Sequence, residues 1–238
     1  MSLKTPIAVI VLILSWVIIQ AGASDYTPVS FSRGKRILSD DFSRPEVGDT
    51  WAIIDKYSLF SIDGGVLMGA QKPDSPHGAV IRIQHAFKDA VIDFDFRFDG
   101  SPSWNFVVDD MNCKDVHAGH ICRLQVSPSS IKVQDDKTGV MNNRYFDLRA
   151  DPKHQERLKP LFAEKMNTAA LNLQTGKWYH MTVVIAGDRM DAYIDGKFVV
   201  GWKSEGFDHP TKTQFGFTVI KEGMAFDNLM AHMLETGS

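Results

Sequence analysis

Residues 90–100 read AVIDFDFRFDG, the clearest strand pattern in the chain. Apolar and polar side chains alternate along it from Ile92 to Asp99. The apolar set is Ile92, Phe94, Phe96 and Phe98, and the polar set is Asp93, Asp95 and Arg97. Successive side chains of a β-strand point to opposite faces, so this period of two predicts a strand with one buried and one polar face.

Comparable runs extend on both sides of this strand, separated by turn residues. They cover residues 64–70, 79–87, 105–110, 120–126, 130–136, 178–187, 189–202, 213–220 and 225–234. Within the run 189–202, Asp195 and Gly196 indicate a two-residue hairpin with a type I′ turn. Many short strands without a dividing linker predict two packed antiparallel sheets, an all-β sandwich.

One segment, residues 151–173, departs from this pattern. Its apolar residues at roughly helical spacing are Leu158, Leu161, Phe162 and Met166. Pro152 suits the first turn of a helix, whereas Pro160 interrupts one. We predict a short helical insertion here, which is either a lid or rim beside a functional site or a packed surface excursion.

The N-terminus has the pattern of a cleavable signal peptide. Lys4 precedes an apolar run over residues 7–19, and the small residues AGA at 21–23 follow it. Signal peptidase reads such a pattern, which predicts cleavage between Ala23 and Ser24. The alternative is an uncleaved anchor, but a spanning helix needs about 20 apolar residues. We therefore expect a signal peptide over residues 1–23, one sandwich domain over 24–238, and secretion or periplasmic export without a membrane segment.

Charge and size limit the kinds of function and fold that the chain can have. The formal net charge is −3 and no basic cluster is present in the sequence, which argues against nucleic acid as a partner. The remaining domain is long enough to bury a large core without a disulfide framework.

The chain has two cysteines, Cys113 and Cys122, in the sequence CKDVHAGHIC. A nearby pair in an exported protein indicates a disulfide that closes a short loop. Free thiols are the first alternative. A zinc site that adds His117 and His120 is the second, although its ligand spacing differs from that of structural zinc sites.

Five segments in this order resemble a known family. They are LSDDFSR (38–44), FSIDGGVLMGA (60–70), FKDAVIDFDFRFDG (87–100), GKWYHMTVVIAGDRMDAYIDGKFV (176–199) and FDNLMAHML (226–234). Together they resemble the bacterial 3-keto-disaccharide hydrolase family, formerly a domain of unknown function. This family lies within the concanavalin A-like lectin and glucanase superfamily. The resemblance covers roughly residues 36–235 and implies a jelly-roll sandwich.

The sequence also departs from these relatives. Many family members carry a strand with the pattern Y-E-x-Q, but the corresponding region, residues 104–126, lacks that glutamate. The Glu-x-Asp-x-x-Glu strand of the superfamily's glucanases is absent from the sequence too, and IDFDFRF (92–98) is the nearest equivalent. A glycosidase mechanism with paired glutamates is therefore not expected.

Strand alternation also predicts a polar surface. In jelly rolls the outer face of one sheet is concave and binds sugars, and Arg and Asp offer bidentate hydrogen bonds to vicinal hydroxyls. The polar row predicted for this groove is Arg82, Asp93, Asp95, Arg97, Arg123 and Gln125. The alternative is a solvated face with weak cross-strand ion pairs.

Two histidines lie near two aspartates at the end of the strand NFVVDD. Asp109 or Asp110 paired with His117 or His120 predicts a general acid/base couple, because a carboxylate orients the imidazole and His exchanges protons near neutral pH. A polar loop tied by the cysteine pair is the alternative.

Two further sites are expected from residue type and place. Trp202, the most exposed of the loop tryptophans by prediction, is suited to stacking on a sugar ring, although tryptophans of sandwiches more often pack in the core. Asp41 and Asp227 lie near the two ends of the domain, where some sandwiches of this superfamily hold a structural Ca²⁺. Ordinary turn chemistry of aspartate is the alternative.

The resemblance implies an exported carbohydrate-active protein that cleaves glycosidic bonds of 3-keto-disaccharides or related glycosides. A 3-keto group acidifies the neighbouring C–H bond, so elimination with one base and an oxyanion stabiliser is compatible with the missing glutamates. A non-catalytic lectin-like module is the first alternative, and a structural or envelope interaction domain is the second.

Overall fold

The computed structural model describes residues 26–235, so the predicted signal peptide lies outside the described residues. The strands are β1 Ser32–Asp40, β2 Trp51–Ile53, β3 Ser58–Asp63, β4 Val66–Gln71, β5 Ala79–Phe87, β6 Ala90–Asp99, β7 Ser103–Asp109, β8 His120–Ser127, β9 Ser130–Asp135, β10 Met166–Ala170, β11 Trp178–Ala186, β12 Arg189–Ile194, β13 Lys197–Lys203, β14 Lys212–Ile220 and β15 Gly223–Glu235. They form two packed antiparallel sheets, which confirms the predicted all-β sandwich.

The two sheets divide the strands in an order that differs from the chain order. The first sheet runs β13-β12-β11-β6-β15-β4-β3, and β1 also pairs with β15. The second sheet runs β10-β9-β8-β7-β14-β5-β2. The consecutive strands β5 and β6 thus belong to different sheets, because β5 bonds to β14 and β6 bonds to β11. Their outer faces therefore point in opposite directions.

Aromatic side chains fill the space between the sheets. Phe94 of β6 contacts Trp104 of β7, and Phe217 of β14 stacks on Phe226 of β15 with ring centroids 3.9 Å apart. None of these four side chains is exposed. Each such burial contributes about 1.5–3 kcal/mol. The core therefore fixes β7 and β14, the two central strands that carry the site described below.

The hairpin prediction is confirmed at Asp195 and Gly196, which join β12 to β13. Their φ angles are 50° and 74°, and two successive positive φ values define a type I′ turn.

The helical insertion is present and begins earlier than predicted. It consists of α1 Asn143–Phe146, a 3₁₀ turn Leu148–Ala150 and α2 Pro152–Ala163. Asp151 caps α2 by accepting a hydrogen bond from the backbone N–H of Lys153 at 3.0 Å. The helix continues through Pro160 and ends at Ala163. The predicted helical range was therefore too long at its C-terminal end, where residues 166–170 form β10. Across residues 26–235, no helix has the length and hydrophobicity that membrane crossing requires.

Residues 26–33 form an N-terminal strap across the outer face of the first sheet. The Tyr26 hydroxyl donates to the carboxylate of Asp191 on β12, and the backbone N–H of Val29 donates to the same carboxylate at 2.7 Å. At the other end of the strap, Arg33 makes two hydrogen bonds to Asp93 on β6, at 2.6 and 2.8 Å. The strap buries both aspartates on a face that alternation alone assigns to solvent.

Candidate functional site

The outer face of the second sheet carries polar side chains that are nevertheless buried. These are Arg82, Asn105, Asp109, Gln134 and Thr218. Strand register places them side by side: Arg82 lies opposite Gly216 of β14, and Arg123 of β8 lies opposite Gln134 of β9. Because buried polar groups cost free energy unless they are bonded, this face differs from an ordinary solvated surface.

The predicted polar row is divided between the two sheets. Arg82, Arg123 and Gln125 lie on strands of the second sheet, as the alternation of β5 and β8 requires. Asp93, Asp95 and Arg97 lie on β6 of the first sheet, on the opposite side of the sandwich. The prediction of one shared groove was therefore wrong for these three residues. Alternation defines a strand's two faces but does not say which sheet the strand joins.

His120 and Asp109 meet as predicted. A register shift at the end of β7 places Asp109 opposite His120 at the start of β8. Nδ1 of His120 lies 2.5 Å from Oδ1 of Asp109, while Oδ2 accepts hydrogen bonds from Arg82 at 3.0 Å and from Gln214 at 3.1 Å. Among residues 26–235, no group forms a hydrogen bond with Nε2 of His120.

The surroundings of Asp109 keep it ionised. Burial raises the pKa of this carboxyl, but the hydrogen bond from His120 and the charge of Arg82 outweigh burial and lower the pKa to about 2. An ionised Asp109 holds the imidazole proton on Nδ1 and leaves the lone pair on Nε2. His120 is therefore arranged as a general base.

Arg82 supports this pair from two strands away. Its guanidinium crosses β14 to reach Asp109 on β7, and it also donates to the carbonyl oxygen of Phe217 at 2.7 Å and to the hydroxyl of Thr218 at 3.2 Å. Gly216 lies on β14 between Arg82 and β7. A Cβ atom on Gly216 would come within 2.3 Å of the Ile81 carbonyl oxygen. Glycine is therefore required where β14 passes β5 so closely.

A second ion pair lies next to this one on the same face. Nε of Arg123 donates to Asp136 at 2.5 Å, and the side-chain amide of Gln134 donates to the other oxygen of Asp136 at 2.6 Å. Nη2 of Arg123 is buried and has no hydrogen-bond partner in the described part of the chain. An unpaired buried donor costs about 1–3 kcal/mol, so a hydrogen-bond partner for this nitrogen would lower the free energy of the site.

The insertion forms a rim beside His120. The ring of Phe146 stacks on His117 at 3.6 Å between centroids, and the guanidinium of Arg149 lies 4.2 Å from the centroid of the same ring. The backbone N–H of His117 donates to the carbonyl oxygen of Met141 at 2.8 Å. This hydrogen bond connects the rim to the loop before β8. Burial lowers the pKa of His117, and no hydrogen bond joins its ring to Asp109 in the described part of the chain. His117 is therefore a neighbour of the site rather than a partner of Asp109.

A family model described as the 3-keto-alpha-glucoside-1,2-lyase-like domain matches residues 39–231, most of the chain. The chain belongs to this family. The match confirms the family predicted from the sequence segments. No curated protein matches the sequence.

Solved structures share the sandwich of this lyase-like domain at low sequence identity. A sialidase superposes with a TM-score of 0.59 at 16% identity over 84% of this chain, which spans only 19% of that sialidase. The laminarinase from Rhodothermus marinus gives 0.57 at 10% identity, with 84% of this chain and 98% of that chain covered. The carbohydrate-binding module CBM66 from Bacillus subtilis gives 0.52 at 16% identity, with 79% and 99% covered. These likenesses confirm the jelly-roll fold.

Asp110 and Trp202 do not contact the ring of His120 in this lyase-like domain. The carboxylate of Asp110 bonds Nε2 of His209 at 2.8 Å, although its backbone N–H bonds Gly119, the residue before His120. Trp202 is half-buried at the edge of the first sheet, and its indole N–H donates to the carbonyl oxygen of Glu164 at 3.2 Å. Asp110 does not pair with either predicted histidine, and Trp202 is not part of the face that carries His120.

The cysteine and calcium predictions are not supported by the geometry. Cys113 and Cys122 are free, because Cys122 points into the core between the sheets while Cys113 lies in the loop after β7. Burial raises the pKa of the Cys122 thiol.

The two aspartates of the predicted calcium site have local partners instead. Asp41 accepts a hydrogen bond from the backbone N–H of Ser43, and Asp227 accepts one from the backbone N–H of the next residue. Within residues 26–235, no three His, Cys, Asp or Glu side chains form a group suited to a metal ion.

Several residues of the site were not predicted. They are Asn105, Lys132, Gln134, Asp136, Phe146, Arg149 and Gln214. Alternation within SIKVQDD (130–136) places Lys132 and Gln134 on one face, so the sequence contained a signal for both. Phe146 and Arg149 precede the segment assigned to the insertion, and no local pattern marks them.

Proposed function

We propose that this domain cleaves the glycosidic bond of 3-keto-disaccharides or related glycosides by elimination. The observation that carries the proposal is the hydrogen-bonded pair of Asp109 and His120, whose Nε2 is left without a partner beside a buried polar face. The lyase-like family supports proton abstraction as the chemistry. The fold shared with a laminarinase and a carbohydrate-binding module supports a glycan as the substrate.

In the proposed reaction one histidine serves as both base and acid. Nε2 of His120 takes the proton from C2 of the sugar, which the ketone at C3 acidifies, and the electron pair moves into an enolate. The enolate then re-forms the C3 carbonyl and a C1=C2 double bond while the C1–O bond breaks. The departing oxygen takes the proton back from His120, so protons balance. Addition of water across C1=C2 completes a net hydrolysis.

Arg123 is the proposed stabiliser of the enolate oxygen. Its unpaired Nη2 and its positive charge lie on the same strand and the same face as His120. A fixed cationic donor favours the charge that develops in the transition state more than the neutral ketone of the ground state. Asp109 and Arg82 are positioning residues, since they act through His120.

The test compares His120→Ala with His154→Ala on the exposed surface of α2. Each variant is incubated with native and 3-keto disaccharides, and monosaccharide release is measured. We expect the His120 variant to lose at least a hundredfold in turnover with the melting temperature within a few degrees, and the His154 variant to keep both. Unchanged turnover in the His120 variant would remove the proposed base. Binding without turnover in the unaltered protein would instead favour the lectin-like alternative.

We further propose that the protein acts after export, on the basis of the signal-peptide pattern in residues 1–23. The intact mass of protein recovered from the periplasmic or culture fraction measures this directly. A mass beginning at Ser24 is expected. A retained N-terminus at Met1 in the exported fraction, or recovery in the cytoplasm alone, would contradict the proposal.

A further inference from the structure

The charges beside His120 on the outer face of the second sheet do not balance. Arg82 is paired with Asp109. The second carboxylate on this face, Asp136, has more than one cation near it. Arg123 bonds Asp136 directly, and Gln134 fills the other carboxylate oxygen without adding charge. Lys132 is two residues from Gln134 on β9, and register places it beside Gln125, the next outward residue after Arg123.

Arg149 adds a third cation from the rim. Its guanidinium is held over the ring of Phe146. Burial lowers the pKa of both Arg149 and Lys132, and the charge of Arg123 lowers each further. Three cations thus share the single carboxylate of Asp136. Holding like charges together in a partly buried place is unfavourable unless an anion completes the group.

The buried Nη2 of Arg123 also lacks a partner within residues 26–235, although Nε of the same guanidinium bonds Asp136. One of the three cations is assigned to the enolate oxygen in the proposed reaction, and Asp136 offsets another. One positive charge remains, so the charge balance needs one more anion than an uncharged 3-keto-glycoside provides.

We propose that Lys132 and Arg149, next to Arg123, form a subsite for an anionic substituent of the sugar, a carboxylate, sulfate or phosphate group. The inference rests on the proposed function and names the substrate class as acidic glycosides. Arginine suits this role because its planar fork pairs with two oxygens of an oxyanion at once. The overall net charge of −3 makes the group a local feature of this face rather than a property of the whole chain.

The experiment measures binding of three probes to the full protein by calorimetry at low and physiological salt. The probes are methyl α-D-glucopyranoside, the corresponding methyl glucuronide, and glucose 6-sulfate. Arg149→Gln is the test variant. Arg157→Gln is the matched control, because Arg157 belongs to the same insertion, is exposed on α2, and removes the same charge. Salt should weaken binding of the two anionic probes and leave the neutral probe unaffected.

An anionic probe should bind the unaltered protein and the Arg157 variant about tenfold or more tightly than the neutral glucoside, the range that one charge-assisted hydrogen bond gives. The Arg149 variant should lose this preference. The tighter of the two anionic probes identifies the substituent. Equal affinity for charged and neutral probes would overturn the proposal, and so would a preference that survives in the Arg149 variant. Turnover of neutral 3-keto-disaccharides with no anion preference would leave the proposed function standing and reject only this subsite.

Discussion

Two histidines of this domain, His120 and His180, each bond an aspartate through Nδ1, and they lie on different sheets of the sandwich. His180 on β11 bonds Asp95 at 2.7 Å and lies 3.5 Å from Asp93. The carboxylate of Asp93, opposed by burial and helped by Asp95, raises the pKa of His180 to about 9. At neutral pH it is therefore protonated and has no lone pair to accept a proton.

The raised pKa of His180 predicts how stability depends on pH. Unfolded histidine has a pKa of about 6.5, so the contribution of His180 is complete below that pH and is lost as pH rises towards 9. Because its side chain is 40% exposed, solvent screening reduces the effect to about 1 kcal/mol. Urea unfolding at pH 6 and pH 9.5 measures it. His180→Gln should lose this pH-dependent part, whereas His154→Gln should retain it; identical pH profiles for both variants would refute the assignment.

At the scale of single elements, the sequence predicted strands well and their partners poorly. The period of two in residues 90–100 identified β6 and its inward phenylalanines, because alternation is a local property. The sheet that β6 joins depends on pairing with β11 and β15, far along the chain. The contact between Asp109 and His120 could be predicted because β7 and β8 are neighbours in sequence and in the sheet. Asp93 and Arg82 were wrongly combined because β5 and β6 are neighbours in sequence only.

The rim is the element whose role can be tested by one substitution. Phe146→Ala removes the ring between His117 and Arg149. We expect KM for a 3-keto-disaccharide to rise about three- to tenfold, since roughly 1 kcal/mol of stacking and cation–π interaction no longer fixes the rim. Tyr145→Ala is the control, because Tyr145 packs on Phe162 within the insertion. A KM that changes equally in both variants would mean that the insertion acts only through its own packing.

For the whole molecule, the two outer faces of the sandwich have different roles. The first sheet is covered in part by the N-terminal strap, while the second carries the polar site and its rim. The strap was not predicted, because no local pattern in residues 26–33 says which strands this segment crosses. Its main anchors, Asp93 and Asp191, look like solvated outward residues when only alternation is considered.

Separate faces predict that stability and activity can be changed independently. A chain shortened to begin at Ser32 loses the hydrogen bonds of Tyr26 and Val29 to Asp191 and the packing of Phe31 on Tyr193. We expect its free energy of unfolding to fall by about 2–3 kcal/mol, because one or two half-buried aromatic side chains and their bonds are removed. Its kcat/KM should stay within about twofold, since the core separates the strap from His120. Urea unfolding and turnover on the same sample measure both quantities. A truncated protein that remains folded but loses activity more than tenfold would show that the two faces are coupled through the core.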